Sequence, residues 1–200
     1  MSLNGLRTAL AEDKSFERVR LYASRPAGER SEDLQIGAPP GLRAALLAEM
    51  VEGQDSGVVL AVTATGRETE DLATALRCYL PAESIEEFPS WETLPHERLS
   101  PRSDTVGRRL SVLRRLKYDD GASPLRVVIA PVRAVLQPLV KGLGELKPVS
   151  LKVGDEVSFE SVVRQLADAA YARVDMVTHR GEFAVRGGIL DVFPPTEDHP

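Results

Sequence analysis

Two hundred residues suffice for one large domain or two small ones, and 42% hydrophobic with 28% charged residues is an ordinary globular composition. A net charge of −5 and a pI of about 5.4 argue against a chain dominated by non-specific nucleic-acid binding, while leaving room for a local basic face. A single cysteine, Cys78, excludes an internal disulfide and fits a reducing cytosol; no apolar run is long enough to cross a membrane, and the N-terminus lacks the layout of a signal peptide, so a cytoplasmic protein without a membrane partner is expected.

Residues 1–34 are charged and weakly periodic, and read as a helix plus a linker. The spacing of Leu42, Leu46, Leu47 and Met50 predicts a helix over Gly41–Glu52. Gly57–Thr63 is a continuous apolar run bounded by turn residues, which predicts a buried parallel strand. Thr65 and Gly66 open a second helix to Leu80, with Leu72, Leu76 and Leu80 in phase. Cys78 falls in this helix and reads as packing, since nothing cationic or metal-like is placed to activate it. Ser84–Phe88 reads as a short strand.

Phe88–Pro101 then carries the only tryptophan, Trp91, and the prolines Pro89, Pro95 and Pro101. Those prolines forbid a helix and break up a strand. Phe88, Trp91 and Leu94 nevertheless require burial, so an apolar loop packed against a specific surface is expected. Val106–Tyr118 follows as a helix with Val106, Leu110, Leu113 and Leu116 inward and Asp104 as its N-cap. Leu125–Ala130 is a second buried strand, and Pro131 suits the first turn of another helix. Strands alternating with helices imply a doubly wound parallel sheet.

After Gly142 the pattern changes. Val149–Val153 looks extended, and Phe159–Ala172 is helical, with Phe159, Val162, Val163, Leu166 and Ala170 apolar. Val174–Val177, a turn at Gly181, Glu182–Arg186, the pair Gly187–Gly188 and Ile189–Phe193 follow, giving a small α+β unit with a hairpin or meander. The fold expected is therefore α/β, a parallel sheet at residues 35–145, with an extension at 1–34 and the start of an α+β domain at 146–200. A strand-like segment this close to the end lacks a partner, so the chain is expected to be a fragment cut inside its last domain.

Three segments are candidates for function. Ile36–Ala44 sits before the first helix, where a phosphate-binding loop would sit. Counting from Gly37, and with Gly41 out of register, Leu42 stands at the second glycine position, Arg43 at the lysine position and Ala44 at the hydroxyl position; Pro39 and Pro40 remove two backbone donors. Such a loop is degenerate, and no nucleotide is expected there. The second segment, Arg98–Lys117, carries Arg102, Arg108, Arg109, Arg114 and Arg115, which can neutralise phosphates or form a solvated face with acidic partners elsewhere. The third is Thr178–Pro195, with glycines at 181, 187 and 188. Arg180 and Arg186 there can offer guanidinium forks to a partner, or pair within the hairpin with Glu182 and Asp191. His96, His179 and His199 are scattered and have no metal-ligand spacing, and no nucleophile–base arrangement is present.

Trp91–Glu–Thr–Leu–Pro–His–Glu–Arg–Leu–Ser–Pro101 and Gly181–Glu–Phe–Ala–Val–Arg–Gly–Gly–Ile–Leu–Asp–Val–Phe–Pro–Pro195 closely resemble the N-terminal region of the bacterial transcription-repair coupling factor (Mfd) family. Val128–Val132 and Ala170–Val174 are similar to further landmarks of that family, with Ala170 standing where glycine is expected; the resemblance covers roughly 35–200. It implies a module similar to UvrB, a helicase-like domain that has lost its ATP site followed by a small inserted domain that docks UvrA. Arg186 is the residue the resemblance points to for docking, with Arg180, Glu182 and Phe183 beside it and further contacts just beyond Pro200. The segment is then a non-catalytic scaffold without cofactor or metal in nucleotide excision repair. ATP and magnesium belong to the motor domains of a full-length DNA translocase that displaces stalled RNA polymerase, and the module can also restrain those domains by intramolecular contact. The alternative is a UvrB-type damaged-DNA binder using Arg102, Arg108, Arg109 and Arg115.

Overall fold

The computed structural model describes residues 4–10, 12–29, 33–54, 56–93, 101–118, 124–140, 142–143, 149–169 and 171–195. It divides into two compact units. One comprises residues 1–90 with 119–137, the other residues 91–118 with 138–200. Trp91 and the arginine-rich helix, read from sequence beside the first domain, thus belong to the second unit, whereas Phe88 stays with the first.

The first unit holds α1 (Asn4–Leu10), α2 (Lys14–Ala23), α3 (Arg43–Glu52), β1 (Val59–Thr63), α4 (Gly66–Leu76), β2 (Ile85–Glu87), β3 (Val127–Pro131) and α6 (Val132–Leu136). Its sheet is parallel in the order β1-β3-β2. Val59 pairs with Val127 and Thr63 with Pro131 on one side of β3; Ile85 pairs with Val127 on the other. β3 is buried at every position, as a central strand of a parallel sheet must be. Val127 and Ile129 share one buried cluster with Ala45 and Ala48 of α3 and Ala73 and Leu76 of α4, so the core is built largely of small and branched side chains, as the shortage of aromatics requires.

Local signals set the helix ends. The Asp13 carboxylate accepts from Ser15 N at 2.7 Å and starts α2. Thr65 Oγ1 accepts from Glu68 N, while Glu68 Oε2 accepts from Ala64 N, so two of the first N–H groups at the start of α4 are satisfied reciprocally. At the far end of α3, Arg126 Nη2 donates to Val51 O at 2.6 Å and Gln54 O at 2.7 Å, which ties β3 to that helix's last turn. Buried Glu49 faces Arg20 at 3.7 Å and links α3 to α2.

The expected burial of β1 is corrected. Val59 is buried, but Leu60 and Val62 are 55% and 52% exposed. Among the described residues β1 is an outer strand with β3 on one side only, so its alternate side chains lie at the sheet's rim.

The second unit contains α5 (Ser103–Lys117), α7 (Phe159–Asp168), β4 (Ala172–Arg173), β5 (Glu182–Arg186) and β6 (Ile189–Phe193). Its sheet is mixed, in the order β4-β5-β6, with β4 parallel to β5 and β5 antiparallel to β6. Ser158 Oγ caps α7, accepting from Ser161 N. Val162 and Leu166 of α7 press on Phe183, with Tyr171, Val185, Leu190 and Val192 around them. The helix ends at Asp168, short of the expected Ala172, which enters β4. Phe159 is 38% exposed, Val149–Val153 forms no strand, and Ala170 lies outside the described residues.

Candidate docking site

The hairpin β5–β6 turns at Gly187, whose φ of 59° suits glycine. Alternation sorts its side chains. Phe183, Val185, Leu190 and Val192 face α7. Glu182, Ala184, Arg186, Ile189, Asp191 and Phe193 take the opposite face.

At the free end of that face Arg186 is exposed, and its Nη2 donates to Asp191 Oδ2 at 2.7 Å; the two side chains are 61% and 37% exposed. Ile189, directly opposite Arg186, is 64% exposed. Of the pairings read from sequence for the two hairpin arginines, the one between Arg186 and Asp191 is present.

Arg180 is placed differently. Its Nη1 donates to Asp104 Oδ1 at 2.5 Å, its guanidinium lies 5.7 Å from the centre of the Phe193 ring, and only 17% of the side chain is exposed. It fastens the hairpin to the first turn of α5. Asp104 is therefore not the N-cap that the sequence suggested. The cap position belongs to Arg102, whose side chain makes no capping bond, and the carboxylate that satisfies this end is Glu92, accepting from Arg102 N at 2.8 Å and Thr105 Oγ1 at 3.3 Å. Burial alone would raise the Glu92 carboxyl; the backbone donors, the Thr105 hydroxyl and the Arg102 charge outweigh it and hold the group below its ordinary value.

Glu182 has an inward task. It accepts from Thr178 N and His179 N, both at 2.8 Å, and closes the turn that carries Arg180. Those two backbone donors, Thr178 first, depress its pKa against a small opposing effect of burial. Phe183 is 1% exposed and forms the centre of the core. Of the four docking candidates, Arg186 alone presents its head group at the surface; Arg180, Glu182 and Phe183 build the hairpin.

The arginine-rich helix is corrected in the same way. Arg102 and Arg108 are exposed and Arg115 is half-buried, but Arg109 is fully buried, with its guanidinium 4.2 Å from the centre of the Trp91 ring. Burial pushes its pKa down to about 10. Gly107, Arg109 and Val112 form the buried line of α5, while Leu116, expected inward, is 49% exposed. Val106, Leu110 and Leu113 are half-buried, so the expected face is partly inward; a cation at the middle of a helix normally signals solvent, and the burial of Arg109 could not be read from the apolar spacing. Leu94 and His96 of the tryptophan segment, and His199, lie outside the described residues.

Residues 33–39 have no regular structure and lead into a 3-10 turn, Pro40–Leu42, then α3; β1 comes only afterwards. A Cβ at Gly37 or Gly41 would meet nothing within 4 Å, and Arg43 is exposed. Cys78 is half-buried, with Sγ near Thr74 O at 3.9 Å. Among the described residues, no group of three or more His, Cys, Asp or Glu side chains could hold a metal ion, and no helix is long and apolar enough to cross a membrane.

Residues 149–200, which include α7 and the whole hairpin, match the family model described as the UvrB interaction domain. The chain is 53% identical to a transcription-repair-coupling factor of Mycobacterium bovis over 87% of its length, and 31% identical to one of Escherichia coli over 78%. One from Haemophilus influenzae is 32% identical over 78%. The chain belongs to the transcription-repair coupling factor family. It spans only 13–14% of the length of these relatives.

Proposed function

We propose that this chain is a docking module that recruits UvrA in transcription-coupled excision repair, and that its first unit is a helicase-like scaffold without an active nucleotide site. The observation that carries this reading is the domain match over 149–200, within which Arg186 stands exposed at a hairpin tip beside Ile189. A projecting arginine next to an apolar residue, on a hairpin pinned to a core, is what an interface hot spot requires. The scaffold reading rests on Pro39 and Pro40, which remove two backbone donors where a phosphate-binding loop would sit, and on the absence of a lysine and hydroxyl at the matching positions. In this reading the chain performs no chemistry. ATP-driven translocation on DNA and displacement of RNA polymerase belong to other parts of a full-length family member.

Calorimetric titration of UvrA with the 200-residue chain tests the proposal. Saturable binding is expected, weakened about 30-fold or more by Arg186→Ala if the arginine is a hot spot. Binding that ignores Arg186→Ala would remove the assignment.

A second reading has its own observation, the exposed Arg102 and Arg108 with Arg115 at the side of α5. It predicts DNA binding whose salt slope falls by about one for each of these cations neutralised. Absent or salt-independent binding eliminates it.

A further inference from the structure

The hairpin tip holds a detail that the docking reading does not use. Arg186 is already engaged, through one nitrogen and one oxygen, by Asp191 of the same hairpin. The bond is monodentate, which leaves the rest of a five-donor fork facing solvent. Both side chains are well exposed, so the pair is of the weak, water-screened kind that exchanges partners at little cost. The hairpin register fixes Asp191 opposite Ala184, one pleat along from Arg186, so its carboxylate is held beside the guanidinium by the fold itself.

We infer that Asp191 is an intramolecular placeholder on Arg186: it occupies the guanidinium in the free module and is displaced when an acidic side chain of the protein partner docks. The inference rests on the docking role of Arg186 proposed above and adds the chemistry of the other side. A planar fork discriminates in favour of a carboxylate that can bond two of its donors at once. A bidentate partner carboxylate outcompetes the monodentate Asp191, whereas a single backbone carbonyl offers no such advantage. Asp191 also opposes the incoming group twice, by occupying the donor it needs and by like-charge repulsion at close range. It therefore biases selection: a partner carboxylate that bonds the fork through two donors is favoured over a group that bonds through one.

The test is a double-mutant cycle by calorimetry with UvrA as the titrant, using the unmodified chain, Asp191→Asn, Arg186→Ala and the double variant. Removing an exposed placeholder is expected to tighten binding about two- to fivefold, the range spanned by exposed ion pairs. The same Asp191→Asn change in the Arg186→Ala background is expected to have no effect, because Asp191 acts through Arg186. Unchanged or weaker binding by Asp191→Asn overturns the placeholder, and weaker binding would show Asp191 to be an orienting residue instead. Equal tightening in both backgrounds also overturns it, since the effect would then be general charge. If Arg186→Ala alone has no effect, the docking assignment itself has failed, and that outcome is distinct from a failure of Asp191→Asn. A circular-dichroism melt of each variant separates loss of binding from loss of fold.

Discussion

Arg109 lies over the ring of Trp91 at 4.2 Å, buried in the second unit at the middle of α5. The ring face offsets part of the cost of removing the guanidinium from water, and the methylene stem fills space that a leucine would otherwise take. Arg109→Ala is expected to cost about 2–4 kcal/mol by urea denaturation, from lost packing and the lost ring contact. Arg109→Met keeps most of the volume and discards the charge, and is expected to cost less than about 1.5 kcal/mol. Trp91 is the only tryptophan, so its emission follows both transitions directly. Equal losses for Met and Ala would show that the charge itself is required.

Phe183 and Arg186 are three residues apart on one strand and are expected to fail in opposite ways. Phe183→Ala opens a cavity between β5 and α7 and should lower stability by about 3–5 kcal/mol. Arg186→Ala removes an exposed pair and should change stability by about 1 kcal/mol or less. Chemical denaturation checks both; a large loss for Arg186→Ala would mean that its docking phenotype is a folding defect.

Two helical glycines give a sharper contrast. A Cβ on Gly107 would run into the carbonyl oxygen of Pro195, whereas one on Gly66 would meet nothing within 4 Å. Gly66→Ala, in the first turn of α4, is expected to raise stability by about 0.5–1 kcal/mol. Gly107→Ala should lower it by about 1–3 kcal/mol despite the better helix propensity. Thermal melts of the two variants decide the point, and stabilisation by both would contradict the close approach at Pro195.

Glu182 makes the hairpin turn sensitive to acid. Its folded pKa lies below the ordinary value of 4.5 because the ionised form accepts from Thr178 N and His179 N. The stability it contributes is present above 4.5 and is lost as pH falls through the depressed folded value. Glu182→Gln should therefore melt below the unmodified chain near neutral pH, with the gap narrowing progressively as pH drops below about 4.5. A gap that stays constant across that range would show that the backbone donors do not select the charged form.

Much of the fold was legible because hydrophobic runs and caps are local. The run at 125–130 became the buried central strand, Thr65 capped α4, and the pair Gly187–Gly188 turned the hairpin. What could not be read was set by residues distant in sequence. Glu92 took the capping task from Asp104, and Asp104 was then free to hold Arg180 from 76 residues away. Burial of Arg109 was hidden for a related reason: nothing in the arginine run singles it out except Trp91, eighteen positions earlier and across a proline-rich segment. At the candidate docking site, Arg186 came from motif resemblance, and only the register showed that Ile189 shares its exposed face.

The strand order β1-β3-β2 also constrains how the chain can be assembled. β1 and β2 hydrogen-bond to β3 and not to each other, so neither has a sheet partner until residues 127–131 have left the ribosome. By then α5, which packs with the second unit, has already been made. The first unit thus closes around a late strand after a foreign helix has emerged in the middle of its sequence. Its contacts are non-local, which favours slow folding and exposes apolar strands such as Val59–Thr63 to solvent while they wait.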